Sequence, residues 1–278
     1  MSIRWAFNSA TVMNCGWDEE LKLWEKFGWT AAEIWYSKMQ PRLATGATCE
    51  QLRRQMQDAG VLPIGVCAGS ISTAFGARNR EQEYSDLAKR LDVTATMGAP
   101  SLTVIIDGEA GDDLAQEYSD LIDPLRHVAE MADERGVRIN LEFLGGLPIN
   151  GTLGSGIELV SRVDHPALGL LFDLCHYYVS ASHLEELELL PESKLFMVHV
   201  DDSPRMPMET LRNDQRCYPG DGRIPVVTLI NHFRRRMKYD GYFSVELYDP
   251  NIWKLEAEQV MSQLNASLKK IEQRIESE

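Results

Sequence analysis

The chain has 278 residues, of which 44% are hydrophobic and 25% are charged, with a formal net charge of −14. This length suits one large α/β barrel, a fold that commonly uses about 250 residues. The charge argues against nucleic acid and membrane surfaces as partners, because binding to phosphate groups and anionic lipids depends on Lys and Arg.

The start of the sequence has no basic segment followed by an apolar stretch, and no run of about 18 apolar residues occurs anywhere in it. The five cysteines are irregularly spaced, unlike the cysteines of a disulfide framework or a zinc clip. We therefore expect reduced thiols and a cytoplasmic protein that acts on a small molecule. A homo-oligomer is compatible with these features.

In chain order, short β-rich segments alternate with segments of helical period, which is typical of a parallel sheet with crossover helices. The eight predicted strands are residues 3–8, 32–36, 62–68, 102–107, 138–143, 168–173, 195–200 and 242–247. The predicted helices are residues 19–27, 49–59, 80–97, 112–135, 155–163, 182–190, 226–237 and 254–275.

Capping residues support this alternation. Thr48 and Asn79 stand where helices should begin, and glycines such as Gly28 and Gly98 stand where helices should end. The first predicted strand is not followed by the glycine-rich turn typical of doubly wound sheets, and no composition break divides the chain. We therefore predict one domain, residues 1–278, folded as a (β/α)8 TIM barrel.

Four predicted strands carry a polar group at their C-terminal ends: Glu142, Asp173, His199 and Glu246. Alternate residues of a barrel strand face inward and outward, and the helix-facing side must be apolar, so these groups should face the mouth of the barrel. Three carboxylates and one imidazole suit Mn²⁺, Mg²⁺, Co²⁺ or Zn²⁺. For any single carboxylate, a buried salt bridge is the alternative.

Several motifs together resemble a known family. They are Phe-Asn-Ser-Ala-Thr at 7–11, Asn-Leu-Glu-Phe at 140–143, Gly-Leu-Leu-Phe-Asp at 169–173, His-Val-Asp-Asp at 199–202, Arg-Cys-Tyr-Pro-Gly-Asp-Gly at 216–222 and Ser-Val-Glu-Leu at 244–247. The chain resembles the xylose-isomerase-like barrels, which include sugar phosphate isomerases and epimerases, over nearly its whole length. It is most similar to the branch of inosose (2-keto-myo-inositol) isomerases.

The resemblance implies roles for six residues. The implied ligands of one divalent metal are Glu142, Asp173, His199 and Glu246, and the implied substrate-binding residues are His176 and Arg216. Reasoning from the residues alone would leave Arg216 as a surface arginine. His176 has the opposite strand parity to Asp173, so it can reach the site only if the strand has ended and the chain has turned inward.

The expected activity is metal-dependent isomerisation or epimerisation of a ketose or inosose. The metal would act as a Lewis acid, while Glu142 and Glu246 move a proton through a cis-enediolate. Return of the proton to the adjacent carbon is isomerisation, and return to the opposite face is epimerisation.

Three other functions remain open at this point. A keto-sugar or inosose dehydratase would use the same proton abstraction, but relatives that eliminate often place a histidine near residues 144–150, where this chain has none. An endonuclease of this fold class would need His and Asp ligands on the early strands, where Asn8, Trp35 and Cys67 stand. The third alternative is a non-catalytic sugar-binding barrel.

Overall fold

The computed structural model describes residues 3–73 and 79–277, apart from the side chains of Ala68 and Glu209. Over these residues the chain forms a closed barrel of eight parallel strands in sequential order, with β8 paired to β1. The strands are β1 Trp5–Asn8, β2 Ala31–Trp35, β3 Leu62–Ser72, β4 Ser101–Asp107, β5 Arg138–Glu142, β6 Leu168–Asp173, β7 Leu195–Val200 and β8 Phe243–Val245. The predicted (β/α)8 fold is confirmed. The domain limits 1–278 stay a prediction, since residues 1, 2, 74–78 and 278 lie outside the described part.

Helices surround the barrel. Within the described ranges they are α1 Trp17–Phe27, α2 Tyr36–Ala44, α3 Cys49–Asp58, α4 Arg80–Met97, α5 Leu114–Asp120, α6 Ile122–Asp133, α7 Leu153–Val163, α8 Leu174–Val179, α9 Val226–Arg235 and α10 Ala257–Ser277. None of these helices is both long and apolar enough to cross a lipid bilayer.

The predicted helix ends agree with the observed caps. Thr48 forms a capping box with Gln51 at the start of α3, and the Asn79 side chain accepts a hydrogen bond from the Gln82 amide at the start of α4. Gly28 and Gly98 follow α1 and α4 with φ of 74°, a left-handed conformation that a residue with a Cβ rarely adopts.

Four helical segments differ from prediction. The helix predicted at 112–135 is divided at Leu121 into α5 and α6, because Pro124 has no amide hydrogen to bond the Asp120 carbonyl and its ring crowds that carbonyl. The segment predicted as a helix at 182–190 is instead a 3-10 turn, Leu184–Leu189. Helices α2 and α8 were not predicted, because each is short and follows its strand directly.

The barrel interior is polar towards the C-terminal ends of the strands and apolar below. Asn140 donates a hydrogen bond to Ser101 Oγ at 3.0 Å, so its strand parity is inward, as predicted. Leu171 and Met197 precede Asp173 and His199 by two positions and belong to a small buried apolar cluster. This cluster forms a floor beneath the polar layer.

Candidate metal centre

The four predicted metal ligands meet at the C-terminal end of the barrel. Glu142 and Asp173 are the last residues of β5 and β6, while His199 lies near the end of β7 and Glu246 directly follows β8. All four are buried, and one ligand atom from each lies within 4.8 Å of the others. His199 Nδ1 is 3.1 Å from Glu246 Oε2, 3.4 Å from Glu142 Oε1 and 3.9 Å from Asp173 Oδ2.

The atoms that face this point are suited to a cation. Glu142 Oε1, Asp173 Oδ2 and His199 Nδ1 are buried and have no hydrogen bond of acceptable geometry within the described part of the chain. Leaving buried polar atoms unpaired costs about 1–3 kcal/mol for each atom, and more for charged groups. A divalent ion would satisfy all of them at once, so the donor set fits the predicted metal.

Sequence reasoning missed Glu33, whose carboxylate is hydrogen-bonded to the second ring nitrogen of His199. Glu33 lies on β2, is fully buried, and its Oε2 is 2.8 Å from His199 Nε2. The signal was present, because Glu33 is a lone charged residue in the apolar strand Ala-Ala-Glu-Ile-Trp. The same feature had drawn attention to Asp173 at the end of β6.

Electrostatics in the metal-free site favour bound protons. Burial raises the pKa of Glu142 to about 7, opposed by His199 and reinforced by the charges of Glu246 and Asp173. Burial alone would lower the pKa of His199, but the surrounding carboxylates, led by Glu33 and Glu246, raise it well above its usual range. A metal ion would therefore compete with protons for this site.

His176 lines a cavity that is also lined by Glu142 and Glu246. It reaches this cavity because the chain turns inward where β6 ends, as its strand parity required. Strand β6 ends at Asp173, whose Oδ1 accepts a hydrogen bond of 2.6 Å from the His176 amide at the start of α8. The buried imidazole lines the cavity, and no described residue hydrogen-bonds its Nδ1. Burial lowers the pKa of His176 to about 4, so the ring is neutral at neutral pH.

Arg216 also lines the cavity, and it is buried rather than at the surface. Its Nε forms an ion pair with Asp201 Oδ2, and its amide donates to Asp249 Oδ2 at 3.0 Å. Nη1 donates to the Asn213 carbonyl at 2.6 Å. These contacts fix the guanidinium at the edge of the cavity, which explains how an arginine from a long loop can face the site.

Asp202 organises the loop that carries Arg216. Its two carboxylate oxygens accept four backbone hydrogen bonds of 2.8–2.9 Å, from Ser203, Gly220, Gly222 and Ile224. A Cβ on Gly222 would collide with this carboxylate and with the Ser203 carbonyl, so only glycine fits there. Asp202 in the His-Val-Asp-Asp motif is thus a loop anchor, while its neighbour Asp201 holds the arginine.

The cavity lined by Glu142, Glu246, His176 and Arg216 has a volume of about 530 Å³. One wall is formed by Trp35 and Tyr248, whose rings are stacked with centroids 5.6 Å apart. Trp35 Nε1 donates to Glu246 Oε1 at 3.4 Å, so this glutamate contacts both the aromatic wall and His199. The cavity therefore combines an apolar face with a polar floor, as small-molecule sites commonly do.

The closed barrel and the buried cluster at its C-terminal end define a TIM barrel with a candidate metal centre. The chain belongs to the xylose isomerase-like TIM barrel family, whose sequence model matches residues 21–271. The family resemblance stated from the sequence motifs is confirmed.

Individual relatives differ in the reactions that their names describe. The chain is 26% identical over 269 residues to an inosose isomerase of Halalkalibacterium halodurans, covering 92% of this chain and 91% of that protein. It is 31% identical over 176 residues to a 3-dehydroshikimate dehydratase of Pseudomonas putida, covering 62% of this chain and 27% of that protein. A crystal structure of IOLI protein with a bound zinc atom superposes with a TM-score of 0.88 at 22% identity, covering 98% and 99% of the two chains. That superposition establishes the shared fold.

Proposed function

We propose that this protein is a divalent-metal-dependent isomerase or epimerase of a ketose or an inosose. The observation that carries the proposal is the buried cluster in which ligand atoms of two glutamates, an aspartate and a histidine lie within 4.8 Å of one another, those of Glu142, Asp173 and His199 being unpaired among the described residues. The full-length similarity to inosose isomerases supports the substrate class. Mn²⁺, Mg²⁺, Co²⁺ and Zn²⁺ all suit this set of ligands.

In this proposal Glu142, Asp173, His199 and Glu246 hold the metal, which when bound supplies Lewis-acid activation of a carbonyl and its neighbouring hydroxyl. One of the two glutamates removes the proton from the carbon beside the carbonyl, and the other returns a proton to the enediolate. The two carboxylates approach His199 from β5 and from the end of β8, so they lie on different sides of the cavity floor.

His176 and Arg216 are the proposed substrate-binding residues. The Arg216 guanidinium keeps its charge in the buried site because Asp201 pairs with it, so it can stabilise a developing oxyanion. The neutral imidazole of His176 offers a hydrogen bond to a substrate oxygen without adding charge to the site. The stacked rings of Trp35 and Tyr248 would cover the C–H face of the substrate.

Elimination is the second candidate, because the chain is also similar to dehydratases over part of its length. A dehydratase would begin with the same proton abstraction and then expel a substituent from the next carbon. Segment 144–150 contains no histidine that could protonate a leaving group, which favours isomerisation. Appearance of ultraviolet absorbance from an enone distinguishes elimination from isomerisation.

The test is solvent deuterium exchange with a panel of ketoses and inososes. The metal-loaded wild type should convert one of them and place deuterium on the carbon beside the carbonyl. Glu142→Gln and Glu246→Gln should lose this activity, by about 10²–10⁴-fold for loss of a general acid or base, while remaining folded by circular dichroism. Glu20→Gln is the matched control, since Glu20 is a buried glutamate of α1 away from the cavity. Full activity of both site variants, or of fully chelated protein, would show that the proposed function is wrong.

A further inference from the structure

We propose that Glu33 is the positioning residue of the metal centre, and that its carboxylate determines which nitrogen of His199 binds the ion. This inference rests on the proposed metal site and assigns a role to a residue outside the ligand set. Glu33 comes from β2, on which none of the four ligands lies. Glu33 is therefore not one of the four predicted ligands but a residue that contacts one of them.

A hydrogen bond joins the two side chains. Glu33 Oε2 lies 2.8 Å from His199 Nε2, and both side chains are fully buried. An ionised carboxylate can only accept, so Nε2 must carry the proton. In the neutral imidazole the lone pair then belongs to Nδ1, the nitrogen that lies within 3.9 Å of the other three ligands.

The Glu33 carboxylate also accepts hydrogen bonds from side chains of three further strands. Its Oε2 accepts from Asn8 Nδ2 at 3.1 Å and from Ser244 Oγ at 2.8 Å, and its Oε1 accepts from Thr103 Oγ1 at 2.9 Å. With His199, the carboxylate has four donors. This set of contacts fixes the carboxylate in position and holds it in its ionised form.

Glu33 also differs from the predicted ligands in that its oxygens already have hydrogen-bond donors. Both of its oxygens are occupied by donors, whereas the facing atoms of Glu142, Asp173 and His199 are unpaired among the described residues. A carboxylate that accepts a hydrogen bond from the second nitrogen of a metal-bound histidine fixes the tautomer and makes the ring a stronger ligand. Removal of such a partner typically weakens metal binding by about 10–100-fold.

Glu33→Gln is the sharpest variant. The amide oxygen can stay opposite His199, Asn8 and Ser244, and the NH₂ group can donate to Thr103, whose hydroxyl turns to accept. The variant therefore keeps the shape and the hydrogen-bonding capacity and removes only the charge. Glu20→Gln makes the same chemical change at another fully buried glutamate, whose side chain is 3.4 Å from Lys38 and does not line the cavity.

The experiment measures Co²⁺ dissociation constants by competition with a chelator, followed by the visible absorption of bound cobalt. Glu33→Gln keeps an acceptor for Nε2 but loses the negative charge that makes the His199 ring a stronger ligand, so we expect it to weaken Co²⁺ binding by about 10–100-fold. Glu20→Gln should bind as the wild type does. In the Zn²⁺-loaded wild type, long-range ¹H–¹⁵N spectra should show His199 protonated at Nε2. Thermal unfolding of the metal-free proteins reports any purely structural effect.

The outcomes separate the two proposals. Wild-type cobalt affinity in Glu33→Gln, with or without a lower Tm, overturns the positioning role and leaves the metal centre standing. Zinc bound through Nε2 of His199 in the wild type overturns it as well. If the wild type binds no cobalt, the metal centre itself is refuted, and the role of Glu33 is refuted with it.

Discussion

Asp202→Asn should disorder the loop that carries Arg216. Asn keeps one acceptor oxygen, so the amides of Ser203 and Ile224 remain bonded, but its NH₂ group would face the amides of Gly220 and Gly222. Two donors would then lose their acceptor, at about 1.5 kcal/mol each. A total near 3 kcal/mol corresponds to a shift of about 100-fold toward the open loop.

Trypsin digestion under native conditions measures this shift, because the loop contains Arg205 and Arg212. We expect Asp202→Asn to be cut much faster than the wild type and to have a lower kcat/KM, since Arg216 no longer faces the cavity. Asp221→Asn is the control, because Asp221 is exposed in the same loop. Equal cleavage rates and equal kcat/KM values for Asp202→Asn and the wild type would refute the anchoring role of Asp202.

Two further predictions concern protons and stability. Burial raises the pKa of Glu142 to about 7, and the surrounding carboxylates raise the pKa of His199 well above its usual range, so metal affinity should fall as the pH is lowered, with protonation of Glu142 adding to the loss below about pH 7. Calorimetry in buffers of different ionisation enthalpy should detect proton release on binding, and affinity independent of pH would contradict this prediction. Lys38→Met should lower the Tm by about 6–10 °C, since the buried Lys38 lies 3.4 Å from Glu20 and donates to the carbonyls of Val12 and Cys15. An unchanged Tm by differential scanning calorimetry would count against that ion pair.

The barrel could be predicted because its strands are unambiguous. All eight predicted strands occur, and those at 168–173 and 195–200 match the observed bounds. Strand parity then placed Glu142 and Glu246 at the mouth, because the helix-facing side of each strand must be apolar. The free-energy cost of burying a carboxylate indicated Asp173 as a further ligand, since an aspartate at the end of an apolar strand needs a partner.

The contacts that support the ligands could not be read from the sequence in the same way. Glu33 sits in an apolar strand as Asp173 does, but its partners come from residues on four other strands, and only closure of the barrel brings them together. Arg216 can be buried because Asp201 forms an ion pair with its guanidinium and Asp249 accepts a hydrogen bond from its backbone amide. Both contacts depend on the path of a long loop. The division of residues 112–135 into two helices, in contrast, could have been predicted from Pro124 alone.

The most direct test of the proposed metal centre is anomalous X-ray diffraction from crystals grown with Zn²⁺ or Mn²⁺. We expect one strong peak at the C-terminal end of the barrel, about 2.0–2.3 Å from Nδ1 of His199 and from carboxylate oxygens of Glu142, Asp173 and Glu246. The Glu33 carboxylate should remain bonded to Nε2. Absence of a peak at saturating metal, or a peak coordinated by other residues, would contradict the proposed metal centre.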